Sequence, residues 1–200
     1  MKDKSTVNQS ISQHLVAGIC QSDNSIEFFG IKKTKQVKYM QNGKTHDFNE
    51  LTGKPALALA YAFSRNEEAK DFFKSYKEDL KQIKHARKVE LFVYYMYGDL
   101  DHQPDFVNGE LQTTENFRDT TDCPSLGFKS LKIDGQKLTS REITIIDCFH
   151  ADYTNGHTAS ILGITESTFD YHSRNLFKKA GVQTKTALMI KCALQHVISW

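Results

Sequence analysis

The sequence predicts an α+β domain followed by a small all-α domain of four helices. Short β-branched and aromatic runs bounded by turn residues mark the first half, whereas the last third changes to apolar residues at three-and-four spacing, with a capping residue ahead of each run. Composition supplies the third observation: of 200 residues, 39% are hydrophobic and 25% charged, an ordinary globular balance with enough apolar material for two small cores. We place the α+β domain at residues 8–130, a linker at 131–137 and the helical domain at 138–200.

Charge and cysteine usage narrow the function classes. The formal net charge of +2 is too small to announce a nucleic-acid binder, so any basic footprint must be local to one face. No run of roughly eighteen apolar residues occurs, and the opening "MKDKSTVNQSISQHLVAG" is too polar for a secretory leader. No membrane span and a cytoplasmic location are expected. Cys20, Cys123, Cys148 and Cys192 lack close pairing and read as reduced thiols, with no metal and no cofactor indicated.

Residues 1–7 read as a polar tail and "ISQHLVAGI" as a short helix. "SIEFFGI" and "KQVKYMQ" read as strands, the second closed by the turn signal Asn42-Gly43. From Asn66 the spacing predicts a helix through to about Arg87, with Glu67 and Glu68 in its first turn and Phe73, Tyr76, Leu80 and Ile83 along one side. "VELFVYYMY" has the content of a buried strand that stops at Gly98-Asp99. Between Gly109 and Gln136 no period survives, apart from a final strand expected around Gly127 to Ile133.

The helical domain begins with Thr139 as an N-cap, Glu142 completing a capping box and Leu138 as a staple against Ile143. Ile143, Ile146 and Phe149 recur on its inner side. Asn155 is expected to cap a short second helix carrying Ala159 and Leu162 inward, with Gly163 ending it in the left-handed conformation. Thr165 caps a third helix. Its projection gathers Phe169, His172, Leu176 and Ala180 on one side and Ser167, Tyr171, Arg174 and Lys178 on the other, with Asp170 at the margin. Gly181 ends it, and Thr184 caps a fourth helix through "KTALMIKCALQHVI". A short helix, a glycine turn and a helix with one apolar and one hydrogen-bonding face have the form of a helix-turn-helix, in which the second helix enters the major groove.

Together "LTSREITII", "ILGITESTFDYHSRNLFKKAGV" and "TKTAL" resemble the DNA-binding domain of the LuxR family of bacterial transcription regulators, the GerE-type helix-turn-helix, over residues 138 to about 197. The resemblance rests on Leu138, Thr139, Arg141 and Glu142, then on Thr165, Thr168, Phe169, His172, Leu176 and Lys179. It implies double-stranded DNA as partner, DNA contacts among Asp170, Tyr171 and Arg174, and a dimer formed through the fourth helix at Leu188, Cys192 or their neighbours. Thr165, Ser167 and Lys178 join the expected DNA face. Glu142, Phe169, His172, Leu176 and Lys179 are expected to be structural, with Lys179 bracing the third helix against Glu142. Four departures stand out: Gly156-His157 where the family carries Lys-Glu, Asp170 where it often holds Lys, Phe169 for a small Val, and Ala180 for Leu. The last two suggest volume exchanged across one core site.

In the first half "IEFFGIKKTKQVKYMQNG" resembles the opening of a PAS sensory domain, which implies a small-molecule or protein signal. A phosphoreceiver module lacks its paired acids here, and the aromatic cluster of a lactone sensor is not found. Phe28, Phe29, Tyr39, Phe92, Tyr94, Tyr95 and Tyr97 line either a ligand pocket or a core. Two rival functions stay open: a protein-binding adaptor that keeps the helical scaffold, and an enzyme using the cluster Asp99, Asp101, His102 and Asp105. His150 and His157 flank one turn without a third metal ligand.

Overall fold

A computed structural model of the chain describes residues 15–79 and 81–198. Strands β1 (Glu27–Ile31), β2 (Gln36–Gln41) and β3 (Lys44–Asp47) form an antiparallel meander in that order. Asn42 and Gly43, with φ of 52° and 75°, supply the left-handed turn that joins β2 to β3. Helices α1 (Gly53–Arg65) and α2 (Glu67–Ser75) follow, then a hairpin of β4 (Lys77–Glu78) and β5 (Lys81–Gln82), and α3 (His85–Tyr97) packs on β1 and β2. A β-carbon on Gly30 would lie 2.5 Å from the Tyr94 ring, which is why β1 carries a glycine where α3 crosses it.

Four expectations for this half are corrected. The helix starting after Asn66 is capped by the Asn66 side chain but ends at Ser75, because Tyr76 turns to an extended backbone that begins the β4–β5 hairpin. Leu80 lies outside the described residues. "VELFVYYMY" is helix, not strand: Val89, Leu91, Phe92, Val93, Tyr94, Tyr95, Met96 and Tyr97 are all buried. A helix enclosed on every side has no polar face to betray its period, and its β-branched and aromatic content then reads as strand. Of "ISQHLVAGI", residues 11–14 lie outside the described residues and Leu15 to Ile19 form a turn rather than a helix. The strand expected near Gly127 is replaced by a 3-10 turn at Pro124–Gly127 and the two-residue β8 (Lys132–Ile133).

Of the aromatic residues weighed for a pocket, Phe28, Tyr39, Phe92, Tyr94, Tyr95 and Tyr97 belong to the first core with Leu59, Phe63 and Phe73, whereas Phe29 is half-buried outside it. A hairpin of β6 (Phe106–Val107) and β7 (Glu110–Leu111) closes it. A second core is built by β8, β9 (Gln136–Lys137), α4 (Ser140–His150), α5 (Asn155–Ile161), α6 (Glu166–Lys179) and α7 (Lys185–Leu194). Leu131 and Ile133 are fully buried in it, so residues 131–137 form a packed hairpin in place of the expected linker. Among the described residues no helix is long and apolar enough to cross a membrane.

Phe169 fills the centre of this second core, fully buried and edge-on to Phe149 at 6.0 Å between ring centroids. Ala180 is buried too, but helical rise places it about 16 Å further along the same axis. The two departures therefore fill different parts of the core, and the expected exchange of volume across one site does not occur. Phe169→Val is expected to cost about 2 kcal/mol of stability by opening a cavity. A lowered urea midpoint with unchanged helical circular dichroism would show it.

Candidate nucleic-acid interface

Local chemistry fixes where α6 sits. Thr154, rather than Asn155, caps α5, its hydroxyl accepting the His157 N–H at 3.2 Å; Asn155 is the first residue inside the helix. Gly163, with φ of 64°, ends α5, and the Ile164 N–H returns to the Ala159 carbonyl at 3.0 Å. Thr165 then opens α6: its hydroxyl accepts the Thr168 N–H at 3.3 Å and lies 3.0 Å from the Ser167 hydroxyl. A β-carbon on Gly156 would stand 3.1 Å from Glu166 Oε1, the tip of an exposed side chain in the first turn of α6.

The far end of α6 is held by charge. Lys179 Nζ lies 2.7 Å from Glu142 Oε2 and also donates to the Lys137 carbonyl at 3.1 Å. Glu142 closes the α4 capping box through the Thr139 N–H at 2.8 Å. Burial pushes the Glu142 carboxyl up, but the hydrogen bonds from Lys179 and Thr139 outweigh it and hold it below the ordinary carboxylate range. One carboxylate thus ties the start of α4 to the end of α6. His172 is half-buried, with Nε2 accepting from Arg141 of α4 at 3.1 Å, so the imidazole sits at the α4–α6 seam.

These contacts give α6 two distinct faces. Phe169, Ser173 and Leu176 are buried, whereas Ser167, Asp170, Tyr171, Arg174 and Lys178 are exposed. Tyr171 is 65% exposed, a large aromatic surface to leave in water. Neither Arg174 nor Lys178 forms an ion pair with any described residue. The outer face therefore presents two free cations, an aromatic ring, a hydroxyl and a carboxylate at helical spacing, chemistry that suits phosphates and base edges.

The dimer residues need correction. Leu188 and Cys192 are fully buried in the second core and are not available to a partner. Burial pushes the Cys192 thiol up to about 11. Ile190 and Leu194, 57% and 75% exposed, are the apolar residues that α7 turns outward. The family resemblance pointed to this helix, but only the packing of α4 against α7 decides which side is covered.

The acidic cluster weighed for an enzyme is divided. Asp99, Asp101 and Asp105 line a cleft of about 690 Å³ with Glu115, Lys132 and His196, while His102 stands apart in a left-handed turn with φ of 71°. Among the described residues no three His, Cys, Asp or Glu side chains are placed to hold a metal ion, and this covers His150 and His157 as well.

Comparison with known proteins bears on the same third of the chain. Residues 136–192 match the family model described as bacterial regulatory proteins, luxR family, so this segment is a GerE-type helix-turn-helix domain. The transcriptional regulatory protein MctR of Rhizobium johnstonii is 44% identical over 61 residues, which cover 30% of this chain and 28% of that protein. The chain thus matches less than a third of the relative's length. No solved structure matches the chain.

Proposed function

We propose that this chain is a transcription regulator that binds double-stranded DNA as a homodimer, reading the major groove with the outer face of α6. The observation that carries it is the pair of cations with no ion-pair partner among the described residues, Arg174 and Lys178, sharing an exposed face with Ser167, Asp170 and Tyr171 while the opposite face is locked in the core. Thr165 and the first turn of α6 stand where a helix N-terminus can meet a phosphate. The luxR-type match and the regulatory relative support the reading. Ile190 and Leu194 are the side chains through which α7 would pair with its copy. The α+β half acts as the sensory domain. Its β1–β2 pair is what the PAS-like resemblance rests on, and the signal is a small molecule or a protein.

Fluorescence anisotropy of the full chain against a randomised duplex pool, and against the duplexes selected from it, tests this across several salt concentrations. Saturable binding is expected, with log affinity falling linearly in log salt as phosphates release their counterions. If no duplex is bound tightly at low salt, the groove-reading assignment is wrong.

A further inference from the structure

The first domain meets the helix-turn-helix unit from behind. Arg118, whose side chain is fully buried, donates through Nη1 to Asp147 of α4 at 3.0 Å and through Nη2 to its other carboxylate oxygen. Its Nε donates to the Val197 carbonyl just past α7 at 2.9 Å, and Nη1 also reaches the Thr121 carbonyl at 3.0 Å. Two residues earlier, the Asn116 amide donates to the carbonyls of Gln195 and Lys132, both at 2.8 Å, and accepts the Lys132 N–H at 2.7 Å. Asp99 pairs with His196 at 2.5 Å on the cleft side. Gln195, His196 and Val197 are thus each held by a side chain of the first domain.

What is gripped matters to α6. Val197 is fully buried and Ile198 nearly so, both in the second core beside Phe169, Leu176 and Leu188. None of the hydrogen bonds or ion pairs of this seam involves a side chain of α6, whose Ser167, Asp170, Tyr171, Arg174 and Lys178 are exposed. We propose that the first domain completes the support of the DNA-binding unit through the Arg118–Asp147 latch, so that its docked state sets DNA affinity without covering α6. The proposal rests on the DNA-binding reading for its consequence but not for the latch itself. Arg118 is a positioning residue: it holds Val197 and α4, which hold α6. A buried guanidinium with a bidentate carboxylate suits this, because its geometry admits few alternatives and removing either partner leaves the other charge unmatched.

Full-length Arg118→Met and Arg118→Lys, measured by hydrogen exchange and by anisotropy on a selected duplex, test the proposal. In Arg118→Met the amides of His196 and Val197, which bond back to α7, are expected to exchange at least tenfold faster. Duplex affinity is expected to fall at least fivefold with the salt slope unchanged, since no phosphate contact is lost. Arg118→Lys, which keeps the charge but not the bidentate fork, is expected to recover part of both. Unchanged exchange overturns the latch. Faster exchange with unchanged or tighter duplex binding overturns its role in setting affinity. If the wild-type chain binds no duplex, it is the DNA-binding reading that fails, and exchange alone decides the latch. Should Arg118→Met fail to fold, Asn116→Ala loosens the same segment by removing the bond to Gln195 and is held to the same two readouts.

Discussion

Arg174→Ala is expected to weaken duplex binding by about tenfold or more, with no loss of stability. Arg174 is exposed and makes no ion pair with any described residue, so truncating it removes nothing that α6 needs to fold. Facing a groove, a guanidinium supplies either a forked pair of hydrogen bonds to a guanine edge or a contact to phosphate, each worth about 1–3 kcal/mol when desolvated. The two roles separate by sequence. A base contact is lost mostly on the selected duplexes, whereas a phosphate contact is lost equally on all of them and reduces the salt slope by about one. Arg174→Lys sharpens the distinction, because lysine keeps a phosphate contact but not the fork. Affinity within about twofold of wild type on every duplex would remove Arg174 from the interface.

The helical third of this protein was legible because its signals are local. The Thr139–Glu142 capping box, the glycine turn at Gly163 and the Thr165 cap each act within four residues, and all are present. The Lys179–Glu142 pair joins residues distant in sequence, and only the family pattern suggested it. What the family resemblance could not supply was burial on α7, where Leu188 and Cys192 are buried and Ile190 and Leu194 exposed. That helix is apolar on most of its surface, so its sequence does not say which stripe the core takes.

The first domain was legible at its first strand pair and at the start of α2, where Asn66 caps a turn carrying Glu67 and Glu68. β1, β2 and the Asn42-Gly43 turn follow from alternation and turn chemistry. α1 went unread, although Leu59 and Phe63, one turn apart and both buried in an alanine-rich run behind Pro55, carried the signal. α3 was read as strand because every face of it is enclosed. Nor does composition reveal that Glu27 is fully buried, that Asp105 is nearly so, or that Arg118 spends its charge on the other domain. Such residues depend on chain segments brought together from far apart, and their types alone suggest a solvated surface.

Those buried acids make a last expected result: the protein loses stability as pH rises from about 5 to 8. Glu27 is fully buried, with Oε1 accepting the Asp101 N–H at 3.0 Å and Oε2 without a partner. Burial, reinforced by Asp105 and Asp101, pushes its carboxyl up to about 9. Asp105 accepts the Phe28 N–H at 2.7 Å; burial raises its carboxyl and that of Glu115, and raises Asp99 as well. A carboxyl raised in the folded state holds a proton that the unfolded chain releases near pH 4. Its stabilisation is complete below that value and drains away as pH climbs through the folded value. Each retained proton costs about 1.4 kcal/mol per pH unit, so Glu27 alone accounts for a decline on the order of a few kcal/mol across the window. Lys129, lowered to about 8 by burial, acts in the opposite sense but only above pH 8, outside that range. Glu142 and Asp23, held low, have their stabilisation intact throughout and lose it only under stronger acid. Urea midpoints at pH 5, 6, 7 and 8 are therefore expected to fall steadily in the wild type and more gently in Glu27→Gln, whose amide fills the same space without a proton to lose. Parallel curves for the two proteins would mean that Glu27 is not where the proton is held.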